Sequence, residues 1–116
     1  MRRLLGRVRH RSVLEDDDRL LRETAASTGC ALIAQCDDRS IVTLRGELRS
    51  VTLRPIDGVS CLEAELYDGS DSVTLIWLGR RQIEGIAAGR RLTVHGRIGR
   101  RDTERILYNP RYDLAV

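Results

Sequence analysis

Residues 61–78 hold two runs of strict alternation joined by a turn, and few patterns leave a chain so little choice. Leu62, Ala64 and Leu66 alternate with Glu63, Glu65 and Tyr67, the period of a strand with one buried face. Asp68-Gly69 supplies a tight turn, since glycine takes positive φ without steric cost. Val73, Leu75 and Trp77 then alternate with Thr74 and Ile76, so a second strand returns antiparallel to the first. This hairpin is the anchor for the rest of the fold.

The same period extends to both sides. Val42, Leu44, Leu48, Val51 and Leu53 predict one long strand from Ser40, with Gly46 as a bulge or sharp bend. Pro55-Ile56-Asp57-Gly58 closes it with turn residues. Beyond the hairpin, Gly79 to Ile86 predicts a short helix with Ile83 and Ile86 inward and Arg80, Arg81 and Glu84 in water, stopped by Ala88-Gly89. Leu92, Val94 and Ile98 define a fourth strand, with Gly96 a second bend. A fifth runs from about Glu104 to Tyr108 and ends at Asn109-Pro110, because proline cannot extend a paired strand. Three strands, a helix and two strands is the order of the OB-fold, a five-stranded Greek-key barrel whose strand 2–3 face and flanking loops receive oligonucleotides or oligosaccharides. The predicted class is therefore all-β with a small helical appendage.

The appendage is residues 1–39, ahead of the barrel at 40–116. Arg2, Arg3, Arg7, Arg9 and Arg11 stand without an acid in residues 1–13, a run expected to be poorly ordered; a solvated tail accounts for it better than phosphate contact. Asp16, Asp17 and Asp18 offer an N-cap and favourable first-turn charge to a helix running to about Thr28. Leu14, Leu21, Ala25 and Thr28 share one face, Arg19 and Glu23 are an i,i+4 pair, and Gly29 fits the stop. So thin a stripe needs a larger body or a second copy to dock on. Residues from Ile33 to Arg39 read as a connector.

Composition, 41% apolar and 32% charged, is that of a globular chain, and with no Phe the core must be built of Leu, Val and Ile. Lys is absent and every basic residue is Arg, which coding bias explains more simply than phosphate recognition does. Cys30, Cys36 and Cys61 are odd in number and lack a Cys-x-x-Cys or a nearby His pair, which argues against a disulfide framework or a zinc site and fits a reducing cytoplasm. No apolar run is long enough to span a membrane, and the arginines interrupt any secretory signal. His10 and His95 stand apart, and no catalytic triad, phosphate-cradling glycine loop or His-Glu-x-x-His occurs. The expectation is a cytoplasmic protein that is not an enzyme and needs no metal or cofactor.

With those residues in view, the chain resembles the compact actinobacterial OB-fold proteins known as nucleic-acid-binding-domain proteins. The marks lie over Val42–Val116: Val42-Thr43-Leu44-Arg45-Gly46, Val51-Thr52-Leu53-Arg54-Pro55, Leu62 through Gly69, Trp77-Leu78-Gly79-Arg80-Arg81, Gly89-Arg90-Arg91-Leu92 and Tyr108-Asn109-Pro110-Arg111-Tyr112. More distantly it is similar to OB domains of replication, repair and tRNA-synthetase proteins. The resemblance implies the barrel, but no motif names a substrate, and one fold hosts many tasks.

Charge is uneven along the barrel. Residues 79–105 hold eight arginines against Glu84, Asp102 and Glu104, whereas residues 40–78 hold Arg45, Arg49 and Arg54 against six acids. The Gly99-Arg100-Arg101-Asp102 tip falls in the loop between strands 4 and 5, one of the two that flank the OB-fold groove. Candidate phosphate contacts are Arg45, Arg49, Arg97, Arg100 and Arg101. Tyr67 is the stacking candidate, with Thr74 and Ile76 beside it on the outward face of the third strand. Trp77 fits core packing better than stacking, and Tyr108 is ambiguous. Glu63 and Glu65 oppose a phosphate path over strand 2. The leading expectation is a module binding single-stranded DNA or RNA without strict sequence choice. The alternative is a protein-interaction or homodimerisation module using the barrel face and the N-terminal helix.

Overall fold

The computed structural model describes residues 2–115, with side chains described from residue 14 onward. The protein is mainly β, with one helix at its N-terminal end. Helix α1 (Arg2–Ser27) begins well before the predicted Asp16–Asp18 cap, because Leu and Arg are good helix formers and no proline intervenes. The arm of residues 1–13 otherwise lies outside the described side chains. Gly29 ends α1 as predicted: Cys30 N donates to Ala25 O (2.9 Å) and Gly29 N to Ala26 O (3.1 Å), the paired bonds of a Schellman stop. Leu21 and Ala25 are buried while Leu14 and Thr28 are exposed, so only the middle of the thin stripe is docked; Leu20, off the stripe, is more than half exposed. Among the described residues no helix is long and apolar enough to cross a membrane.

Among the described residues seven strands follow: β1 (Ile41–Ile56), β2 (Val59–Tyr67), β3 (Ser72–Leu78), β4 (Arg91–Arg97), β5 (Gly99–Arg101), β6 (Glu104–Tyr108) and β7 (Arg111–Leu114). They form one mixed sheet in the order β5-β6-β3-β2-β1-β4-β7, open rather than the five-stranded barrel predicted. β3 and β6 run parallel; the remaining pairs are antiparallel. The two additional strands have local causes. The predicted fourth strand breaks at Ile98, whose N–H turns to Ser40 O (2.9 Å), and the chain then pairs with β6 as β5. Pro110 ends β6 as expected, yet the next residue resumes pairing, with Tyr112 opposite Val94.

The helix predicted between the third and fourth strands is absent. Gly79, Gly85 and Gly89 sit at φ of 71°, 81° and 87°, a region that breaks any right-handed turn, and residues 79–90 form successive turns. Ile83 and Ile86 still plug into the core, which is what their spacing encoded. The predicted Gly46 bulge is displaced as well: the irregularity lies between Leu48 and Ser50. Gly46 answers to a different demand, since a Cβ there would stand 2.9 Å from the Tyr67 carbonyl carbon.

The core is one cluster that includes Leu44, Leu48, Leu62, Leu66, Leu75, Trp77, Leu92, Val94 and Leu107. Trp77 belongs to it: its indole N–H donates to Pro110 O (3.1 Å), and Tyr112 meets it edge-on at 6.0 Å. Asp68 is fully buried and ties the loop before the sheet to the β2–β3 turn. Its Oδ2 accepts from Ile33 N (2.8 Å), and its Oδ1 from the N–H (2.9 Å) and hydroxyl (2.6 Å) of Ser70. Arg22 reaches from α1 to Gly69 O (2.9 Å) on the same turn.

Candidate nucleic-acid interface

Burial of Leu44, Leu92 and Val94 sends the alternate residues of β1 and β4 outward. Register then lines them up: Thr43 opposite His95 and Arg45 opposite Thr93 on β4, with Arg111 opposite His95 and Asp113 opposite Thr93 on β7. Arg91 and Arg97 stand at the two ends of β4. Thr43 Oγ1 and His95 Nδ1 are 2.9 Å apart, His95 Nε2 lies 3.3 Å from Asp113, and Arg45 donates to the Thr93 hydroxyl (3.4 Å). Arg91 pairs with Glu47 at 3.4 Å, and Arg97 donates to Arg39 O (3.1 Å). Among the described residues, Arg45, Arg97 and Arg111 have no carboxylate within ion-pair distance. This face is basic, and most of its arginines are open.

The outward face formed by the C-terminal half of β1 with β2, β3 and β6 has the opposite character. A groove of about 210 Å³ is lined by Ser50, Thr52, Arg54, Glu63, Glu65, Ser72, Thr74 and Glu104. Arg101 donates to Glu63 Oε1 (2.8 Å) and Glu104 Oε2 (3.1 Å), while the Thr74 hydroxyl donates to the other Glu104 oxygen. The Thr74 bond, and after it Arg101, holds the Glu104 carboxyl below its ordinary range. The same two carboxylates bind the Arg101 proton more tightly than usual, Glu63 first. Beside the groove Cys61, Ile76 and Ile106 form a small buried cluster capped by Ile56.

The sequence-predicted candidates are thus divided among several places. Arg45 and Arg97 share the basic face. Arg101 and Thr74 are spent on Glu63 and Glu104. Arg100 is paired with Asp38 (2.7 Å) and donates to Thr103 O (3.0 Å). Ile76 lies inside a buried cluster rather than on an open face, because Ile56, Cys61 and Ile106 cover it. Tyr67, expected to be exposed, is half-buried, and Arg49 covers its ring at 4.8 Å from the centroid. The β1 irregularity explains this: Arg49 has no partner on β2 and swings over the Tyr67 ring instead. Burial, and then the Asp18 carboxylate, pushes the Tyr67 phenol up. Tyr108 is half exposed. Reading the sequence missed Arg91, Arg111 and His95 on the basic face, and Arg54 and Glu104 in the groove. Their outward position follows from alternation, but their company depends on which strands meet.

No protein-family model matches this chain, nor does any curated protein. Its fold is similar to part of RecG in a structure of RecG bound to a three-way DNA junction. That match has a TM-score of 0.54 at 21% sequence identity, over 67% of this chain and 11% of RecG. The likeness is one of fold, and the chain answers to about a tenth of the RecG chain.

Proposed function

We propose that this chain is a non-enzymatic nucleic-acid-binding module that grips a phosphate backbone with its β1–β4–β7 face. The observation that carries the reading is that Arg45, Arg97 and Arg111 share one face and, among the described residues, have no carboxylate within ion-pair distance. A planar guanidinium fork suits phosphate, and strand geometry spreads the outward side chains of β4 over roughly 20 Å from Arg91 to Arg97, several nucleotides' reach. Likeness to part of a DNA-bound protein agrees with it. β4 and β5, separated only by Ile98, lie at opposite ends of the open sheet order and read as two halves of one bent stave, an arrangement that brings those ends together in the manner of an OB-type barrel. The parallel β3–β6 pairing supports that closure.

Fluorescence anisotropy with a labelled single-stranded oligonucleotide and a three-way junction, in 50 and 200 mM salt, tests the binding. Three phosphate contacts on a single strand give a log–log salt slope near −2, so the fourfold rise in salt weakens binding about twentyfold. Replacing Arg45, Arg97 and Arg111 by Ala removes most of that dependence. No binding in the lower salt, or an unchanged slope in the triple variant, refutes the reading.

A second reading, self-association or partner binding through α1, is favoured by one observation: Leu14 and Leu20 are 51% and 54% exposed. Light scattering separates the two, since a dimer dissolved by Leu14→Gln with Leu20→Gln supports the second.

A further inference from the structure

The groove on β2, β3 and β6 is unsuited to phosphate, yet it is built as a site. Glu63, Glu65 and Glu104 outnumber Arg54 and Arg101, so an anionic backbone is repelled there. Glu63 is only 9% exposed. One of its oxygens is bonded to Arg101; the other, Oε2, is buried with no hydrogen-bond donor among the described residues, and Arg54 Nε stands 3.7 Å from it. A buried acceptor left unfilled is costly, and this one belongs to a residue lining an open groove. What it lacks is a neutral group bearing N–H donors.

We infer that the groove receives a single nucleobase that presents an exocyclic amine, with cytosine as the simplest case. This rests on the nucleic-acid reading above and deepens it into a base preference. Carboxylates accept from the cytosine 4-amino group, whereas thymine and uracil present a carbonyl at that position. Ile76, opposite Glu63 in register, and Ile106, opposite Thr74, are buried beneath the groove, so the base is held by its polar edge, which meets Glu63 and Glu65. The Arg54 guanidinium, with its side chain 57% exposed at the rim, takes the phosphate of the same nucleotide. The base enters and the backbone stays outside.

The test compares oligo(dC) and oligo(dT) of equal length by anisotropy at one low salt concentration, on the full chain and on Glu63→Gln and Glu65→Thr. Glu65 is half-buried and outside the Arg101 network, so its variant keeps the test alive if Glu63→Gln fails to fold. The expected result is oligo(dC) bound roughly tenfold more tightly than oligo(dT), with the ratio falling toward one in Glu65→Thr and the oligo(dT) affinity no weaker. Equal affinity for the two oligonucleotides, or a preference that survives both substitutions, overturns the base pocket and leaves the basic face standing. Failure to bind either oligonucleotide overturns both.

Discussion

Replacing Asp68 by Ala removes a buried carboxylate that ties the loop before the sheet to the β2–β3 turn. The carboxylate is fully buried, and its loss strands the N–H of Ile33, itself 0% exposed. An orphaned buried donor costs about 1–3 kcal/mol. Loss of the bonds from the Ser70 N–H and hydroxyl to Oδ1 adds about 1–2 kcal/mol, discounted because Ser70 is part-exposed and water replaces some of them. The sum is about 2–5 kcal/mol, a large share of a typical domain stability of about 5–15 kcal/mol. With a urea m-value of about 2 kcal/mol/M, the unfolding midpoint, followed by Trp77 fluorescence, drops by roughly 1–2.5 M. Asp68→Asn keeps the shape and one acceptor, and falls between wild type and Ala. A midpoint shift for Ala worth less than about 1 kcal/mol, or an Asn variant as stable as wild type, refutes the keystone role.

Two further outcomes follow from the geometry. Gly46→Ala forces a Cβ against the backbone of Tyr67, where no rotamer change relieves it; a cost of about 1–3 kcal/mol lowers Tm by roughly 5–10 °C in a thermal melt, and an unchanged Tm would contradict the close crossing. Glu104, whose carboxyl is held below the ordinary value of 4.5 by Thr74 and then Arg101, binds fewer protons folded than unfolded over that range. Its contribution is therefore complete above pH 4.5 and is lost as pH falls through its own lower value. Stability measured against pH should show a shallower acid limb in Glu104→Gln, and an identical limb would remove the pair from the account.

How much of this was legible beforehand differs between strands and their neighbours. Alternation placed the strands that became β1, β2, β3, β4 and β6, and a glycine placed the end of α1, because each signal is written within a few residues. Ile83 and Ile86 marked an inward-facing segment correctly while its predicted helix failed, since spacing records burial and three glycines in the left-handed region decide the backbone. The eight proposed contact residues were read one side chain at a time. Strand pairing brings Glu63, 38 residues away in sequence, onto Arg101, and Arg100 meets Asp38 across 62.

The amino-acid sequence by itself determined that the chain is strand-rich with a helix ahead of it, which faces are apolar, and that its positive charge is carried by arginine alone. Only the tertiary structure decided which of those arginines are neutralised, that Tyr67 lies beneath Arg49, and that a groove of carboxylates and a face of open guanidiniums occupy different parts of one sheet. The reason is range. Periodicity and turn chemistry act between near neighbours along the chain, whereas an ion pair forms only when register brings distant residues within a few ångströms.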